Sequence, residues 1–226
     1  NGRCMNDYLG CLASRRVGGR RGARRAALKD RSEPVCADET LQYLLGTVRC
    51  LRPSRILEIG TAEGLSGAAM LFEEEKAHLT TVEIDEERYR LAGRNFASFG
   101  LEGRVRRILG DAADVLPALD TGYDLIFLDG PKAQYINYLP ELKRLLRAGG
   151  VLFADDVLLY GWVDGSVPAP KKRHSLVGRI RDYLAPLTQH AHLLTPRLEP
   201  GGGVGTRVTP GYCPRPGEHT AANKPP

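Results

Sequence analysis

Ile56-Leu57-Glu58-Ile59-Gly60-Thr61-Ala62-Glu63-Gly64-Leu65-Ser66 is a short apolar run, a turn bounded by two glycines, and the opening of a helix. A buried strand that enters a helix through a turn without bulky side chains is the first unit of an alternating α/β sheet. Working outward, apolar runs at residues Arg55 to Ile59, His78 to Ile84, Val105 to Leu109, Tyr123 to Leu128 and Val151 to Ala154 predict strands. Between them, amphipathic patterns predict helices near Leu65 to Glu75, Glu86 to Phe99, Ala112 to Leu119 and Tyr135 to Leu146. The strands are apolar throughout rather than alternating, which specifies a mostly parallel, doubly wound sheet covered on both faces.

A further helical pattern, Thr40 to Leu51, enters the domain and stops before Pro53, and another follows at Ser175 to Leu184. Two weaker strands, around Leu193 to Leu198 and Val204 to Val208, flank three consecutive glycines and read as an antiparallel hairpin, which brings the expected sheet to seven strands. The domain then spans 34–209. Ahead of it lies a basic helical extension, 1–33, and after it a tail, 210–226, rich in proline and poor in apolar side chains.

Of the 226 residues, 42% are hydrophobic and 26% charged, which suits one α/β domain with short appendages. The sequence has neither an apolar run long enough for a bilayer nor the unbroken run of a secretory signal, so a soluble cytoplasmic protein is expected. The five cysteines (Cys4, Cys11, Cys36, Cys50, Cys213) are odd in number and lack C-x-x-C spacing, which argues against a disulfide framework or a zinc knuckle. The formal charge of +5 is uneven: residues 1–31 hold nine basic residues against Asp7 and Asp30, leaving the remainder slightly acidic. Such a stretch attracts a polyanion such as RNA, or forms a solvated helix face; an Arg-rich transit peptide is a third reading.

Ligands of a doubly wound sheet bind beyond the carboxyl ends of its strands. Gly60 and Gly64 follow the first strand, Glu83 closes the second where it can accept hydrogen bonds from both ribose hydroxyls, and Asp111 ends the third near an adenine edge. The G-x-x-x-G spacing lacks the middle glycine that admits a pyrophosphate, so an adenosine without phosphate fits better. Glu83 and Asp111 also suit helix caps. Asp129 ends the fourth strand and Asp155-Asp156 the fifth; on adjacent strands these carboxylates converge, repel one another, and call for a hard cation such as Mg²⁺. The five histidines are scattered, and Tyr135 and Tyr138 share a helix face suited to packing. Lys171, Lys172 and Arg173 lie in a loop that could cover the substrate and suits a phosphate-bearing partner.

The stretches ILEIGTAEGLS, TTVEID, GDA, IFLDGPKAQY and GGVLFADDVLLYGWV, within about Pro34 to Val208, are where a family resemblance becomes plain. The chain resembles the class I O-methyltransferases of the caffeoyl-CoA and catechol type, and most closely their bacterial relatives that methylate 5-hydroxyuridine in tRNA. That resemblance implies that Cys36, Glu58, Gly60, Ser66, Glu83, Asp111, Ala112 and Asp129 surround S-adenosylmethionine. It implies that Asp129, Asp155 and Asp156 hold a divalent metal such as Mg²⁺, that Lys132 acts as general base, and that the protein is a homodimer. The family usually has Asn where Asp156 stands. The implied acceptor is 5-hydroxyuridine at the tRNA wobble position, or alternatively a small catechol or caffeoyl-CoA-like hydroxyl. A nicotinamide-dependent dehydrogenase would share the sheet and the ribose acid but gives no reason for Asp129 and Asp155-Asp156 to converge. An RNA-binding module without catalysis sits poorly with an intact Gly60, Glu83 and Lys132. An apolar N-terminal patch (Met5, Tyr8, Leu9, Leu12) could contribute to a dimer.

Overall fold

The computed structural model describes residues 38–188 and 208–210. Within them lie strands β1 (Arg55–Ile59), β2 (His78–Glu83), β3 (Val105–Leu109), β4 (Tyr123–Leu128), β5 (Leu146–Asp155) and β6 (Val208–Pro210). The helices are α1 (Asp38–Leu51), α2 (Leu65–Glu73), α3 (Glu86–Ser98), α4 (Ala112–Val115), α5 (Tyr135–Leu145) and α6 (His174–Thr188). One sheet runs in the order β3-β2-β1-β4-β5-β6; β1 to β5 are parallel, and β6 pairs antiparallel with β5.

The order reverses between β1 and its two neighbours β2 and β4, which opens a crevice beyond their carboxyl ends. Alternation along the strands divides the core between the two faces. Ile56, Leu125, Phe127 and Phe153 pack with α1, α2 and α3 on one side, while Leu57, Ile126, Leu128 and Leu152 pack with α5 and α6 on the other. At the opposite edge of the sheet, the Asp124 carboxylate accepts from the backbone amides of Ser54 and Arg55 at 2.7 and 2.8 Å and pairs with Arg147. Those bonds fix the starts of β1 and β5 against β4, and so fix the register in which their far ends emerge.

Four sequence expectations are corrected. The sheet has six strands among the described residues, not seven, and no hairpin is present among them: residues 193–198 lie outside the described part, and the last strand is Val208–Pro210 rather than Val204 to Val208. β5 begins at Leu146, because Gly149 (φ 75°) and Gly150 carry it through a register shift opposite Tyr123 to Leu125 that hides the strand pattern. The predicted helix Ala112 to Leu119 is one α-helical turn and a 3₁₀ turn at Leu116–Ala118, since Pro117 has no N–H to continue it. α6 reaches Thr188, four residues past its expected end. The basic extension, Cys36, the apolar patch near Leu9 and the proline-rich tail lie outside the described residues. No helix among the described residues is long and apolar enough to cross a membrane.

Candidate functional site

The strands align Val82, Ile59, Leu128 and Ala154 in one row across β2, β1, β4 and β5. One position further on, the same four strands present Glu83, Gly60, Asp129 and Asp155. The ladder continues through that position, with Gly60 N donating to Val82 O at 3.0 Å and Asp129 N to Ile59 O at 2.9 Å. A glycine flanked by carboxylates on both sides is therefore a rigid feature of the sheet edge.

Gly60 is required there twice over. Its φ is +97°, in the left-handed region, and a Cβ on it would stand 2.4 Å from the Asp129 carbonyl oxygen. The backbone of β1 thus passes against that of the β4 exit with no space between, leaving the room above the turn for a ligand. Gly64, with φ +81°, opens α2 without a side-chain cap, so the first amides of that helix face the turn.

Beneath the turn, Glu58 is fully buried. Ser66 Oγ donates to its Oε1 at 2.6 Å and Thr81 Oγ1 to its Oε2 at 2.7 Å, while Thr61 Oγ1 lies 2.5 Å from Thr81 Oγ1. Burial raises the Glu58 carboxyl; the two hydroxyl bonds oppose the rise and the negative Asp129 and Glu83 add to it, bringing it to about 7. Ser66 is partly exposed, so Glu58 reaches the surface of the site through it.

Glu83 is buried and holds the turn from the other side. Its Oε2 accepts from Ala62 N at 2.8 Å, and its Oε1 from Ile84 N and Asp85 N at 3.0 Å each. Asp111 serves as the N-cap of α4, accepting from Ala113 N at 2.8 Å, and Ala112 lies buried just behind it. Its charge is felt by Tyr138 on α5, whose hydroxyl burial and Asp111 together push above the ordinary tyrosine value. Glu83 and Asp111 thus stand on adjacent strand ends, as their positions in the sequence imply.

Asp129, Asp155 and Asp156 gather at the ends of β4 and β5. Burial, then the negative Asp129 and Asp156, push Asp155 up to about 7, and burial with Asp129 pushes Asp156 to about 6; Lys132 opposes both shifts. Asp129 Oδ1 pairs with Lys132 Nζ at 2.8 Å, and Asp155 Oδ1 accepts from Thr40 Oγ1 at 3.2 Å and from Asp156 N at 2.8 Å. Asp156 has a φ of 53°, a left-handed conformation that Asn and Asp adopt more readily than most residues.

The three carboxylates of the expected metal centre are brought to neighbouring strand ends, although no group of three His, Cys, Asp or Glu side chains among the described residues is already arranged around a common point for a metal ion. Lys132 pairs with Asp129, and Asp155 is hydrogen-bonded to Thr40 of α1 and to the amide of Asp156. The donors themselves are hard oxygens carrying surplus buried negative charge, which fits a hard divalent cation in chemistry. Burial favours loss of the Lys132 proton, but Tyr135, Asp129 and Asp155 outweigh that and hold it well above the ordinary lysine value.

Three contributors were not legible in the sequence. Thr40 sits on a helix 115 positions away from its partner Asp155. Thr81 stands beside Thr80 in β2, and only its burial shows that its hydroxyl, unlike that of its neighbour, needs a partner inside the protein. Tyr135, read as packing, is fully buried and also donates from its hydroxyl to Leu128 O at 3.0 Å, with Asp155 O 3.4 Å away, so it ties the exits of β4 and β5 together. Beyond Asp156 the chain carries Tyr160, which is 44% exposed, with Trp162 5.1 Å away between ring centroids, and then exposed Lys171, Lys172 and Arg173 at the start of α6.

Comparison with known proteins bears on this geometry. A family model described as a methyltransferase domain matches residues 57–157. The chain is 37% identical over 153 residues to a Mycobacterium avium protein that carries the name O-methyltransferase, covering 66% of this chain and 67% of that one. It is equally 37% identical over 153 residues to a Mycobacterium tuberculosis protein so named, spanning 66% of each. The chain thus spans about two thirds of the length of these relatives. Among solved structures it is similar to a Staphylococcus aureus protein described as a caffeoyl-CoA O-methyltransferase, with a TM-score of 0.70 and 27% identity over 92% of this chain and 100% of that chain. The fold is shared with a Bacillus cereus O-methyltransferase in complex with S-adenosylhomocysteine, with a TM-score of 0.69 and 21% identity over 92% and 90%.

Proposed function

The chain belongs to the class I S-adenosylmethionine-dependent O-methyltransferase family, and from that premise we propose that it moves the methyl group of S-adenosylmethionine to a hydroxyl oxygen at the ends of β1, β2, β4 and β5. The observation that carries the reading is the row Glu83, Gly60, Asp129, Asp155 with Lys132 paired to Asp129 at 2.8 Å. It sets a glycine turn without side chains beside a charged group able to receive an oxyanion.

In the transfer the methyl carbon leaves sulfur as its bond to oxygen forms, the hydroxyl gives its proton to the neighbouring Asp156 carboxylate, which burial and Asp129 make more ready to take it, and S-adenosylhomocysteine departs. The sulfonium is already activated, so the protein's part is to align oxygen, carbon and sulfur and to keep water out. Lys132, positioned by Asp129 and lying 5.4 Å from the Tyr135 ring centroid, directs an ammonium at the developing oxyanion. Tyr135 holds the two strand ends that carry Asp129 and Asp155 at a fixed separation. Asp129, Asp155 and Asp156 are the residues that would hold Mg²⁺ or a similar divalent ion, whose chemistry when bound is to lower the pKa of the acceptor hydroxyl.

For the acceptor, the reading is 5-hydroxyuridine at the wobble position of tRNA. Exposed Tyr160 beside Trp162 offers a stacking face for an unpaired base, and Lys171, Lys172 and Arg173 offer cations for neighbouring phosphates. The basic stretch at 1–31 adds to that charge. A cytoplasmic homodimer accords with this reading. The likeness to the caffeoyl-CoA-type structure favours a second acceptor, a small catechol or phenylpropanoid thioester. Incubating the full chain with methyl-labelled S-adenosylmethionine and either tRNA bearing unmethylated 5-hydroxyuridine or catechol, with and without Mg²⁺, tests both. Label in tRNA alone supports the first, label in catechol alone the second, and label in neither overturns both.

A further inference from the structure

The hydrogen-bond network beneath the glycine turn has three hydroxyl hydrogens, and following where each one points leads to a role for its one acid. We infer that Glu58, working through Ser66, decides whether the turn presents a hydroxyl hydrogen or a lone pair to the carboxylate of the cofactor's amino-acid portion. This rests on the reading of the turn as an S-adenosylmethionine site.

With Glu58 ionised, both of its oxygens are acceptors only, and they take the hydrogens of Ser66 at 2.6 Å and Thr81 at 2.7 Å. Thr61, 2.5 Å from Thr81, completes the set with its own hydrogen. Every hydroxyl hydrogen then points into the network, and the partly exposed Ser66 turns only lone pairs outward, which repel an anion. With Glu58 protonated, the acid donates to Ser66, and the Ser66 hydrogen is released. It can then be given to a ligand carboxylate approaching the first turn of α2, where free helix amides already favour negative charge.

The surroundings make the neutral form accessible. Glu58 is fully buried, with Leu79 of β2 and Phe96 of α3 packed around the neighbouring Gly67. The charged groups that act on it are Asp129 at the end of β4 and Glu83 at the end of β2, both negative. Burial and those two acids bring its carboxyl to about 7, so an incoming carboxylate adds a third negative neighbour and favours proton uptake. In this role Glu58 is fully buried and acts through Ser66, as a positioning residue.

The test is calorimetric titration of the full chain with S-adenosylhomocysteine, which keeps the amino-acid carboxylate, at pH 6, 7 and 8. The expected result is a Kd that rises about tenfold from pH 6 to pH 8, as one proton linked near neutrality requires. Comparing two buffers of different ionisation heat at pH 8 should show uptake of about one proton. Glu58→Gln, which keeps a donor facing Ser66, should hold Kd within about twofold across the range and take up no proton. A pH-independent Kd without proton uptake overturns the inference, and so does a Glu58→Gln protein that keeps the tenfold change. The uptake measurement on the unsubstituted chain stands whether or not the variant folds. Absence of binding at any pH by a chain with an intact melting transition would instead remove the cofactor reading, and this inference with it.

Discussion

Lys132 Nζ lies 2.8 Å from Asp129 Oδ1, and both side chains are largely shielded from solvent at 17% and 27% exposure. A cation so placed neutralises the acid that follows β4 and lowers the charge felt by Asp155 and Asp156 as well. Lys132→Met removes the ammonium and keeps the stem. Methyl transfer is expected to fall by about 100-fold or more, the scale seen when one group aimed at an oxyanion is lost. Affinity for S-adenosylhomocysteine should stay within a few-fold; an unchanged kcat would show that the ammonium has no part in the reaction.

Glu58, at about 7 in the fold against 4.5 in an open chain, binds its proton more tightly when folded. The folded state therefore loses stability as pH rises through that interval: the contribution is complete below about pH 4.5 and gone above about pH 7. The interval corresponds to about 3 kcal/mol. Melting temperature of the ligand-free chain should decline from pH 5 to pH 8, and Glu58→Gln should flatten that decline. Asp155 and Asp156, both raised, act in the same direction.

Gly60→Ala would place a methyl 2.4 Å from the Asp129 carbonyl oxygen at a φ of +97°. Backbone cannot swing aside as a side-chain tip can, so the turn and the β4 exit must separate. A loss of more than about 1 kcal/mol of stability is expected from the conformation alone, together with loss of cofactor binding, read by denaturant titration and calorimetry.

Tyr183 presents the opposite case. Its hydroxyl is buried with no hydrogen-bond partner among the described residues, and its ring packs edge-on against Tyr135 at 5.4 Å. A hydroxyl kept from water without a partner costs about 1–3 kcal/mol. Tyr183→Phe keeps the ring contact and should raise the melting temperature; a fall would reveal a bound partner for the oxygen.

Replacing Lys171, Lys172 and Arg173 together by Glu separates the two acceptor readings. These side chains are exposed, so the melting temperature is expected to stay within a few degrees. Transfer to tRNA is expected to drop by more than tenfold and to lose part of its salt dependence, while transfer to catechol stays unchanged. Equal effects on both acceptors would count against phosphate contacts.

Much of this was written in the chain. Ile56 to Ser66 announces a strand, a glycine turn and a helix, and the parallel pairing of its neighbours follows from strands apolar on both faces. The convergence of Asp129 with Asp155 follows from strand adjacency alone. What the pattern could not supply was direction. Whether Asp129 turns to an ion or to Lys132 depends on a side-chain rotation, and so does the pairing of Asp155 with Thr40, which periodicity does not encode. Gly149 and Gly150 interrupt the apolar run of β5 and hide its first residues, and Pro186, which signals an end in the sequence, lies inside α6. Glu58 reads as an acid in an apolar strand; its meaning depends on Ser66 and Thr81, 8 and 23 residues away.

Glu83 meets three amides before any ligand arrives, two on Oε1 and one on Oε2. A carboxylate has about four lone-pair sites, so one oxygen is saturated and the other has a single vacancy. The sugar of a bound nucleoside can then be gripped firmly by only one of its two vicinal alcohols. Deoxy analogues should consequently be sorted by which carbon lacks oxygen: removal at one position should weaken the complex severely, and removal at the other should scarcely register.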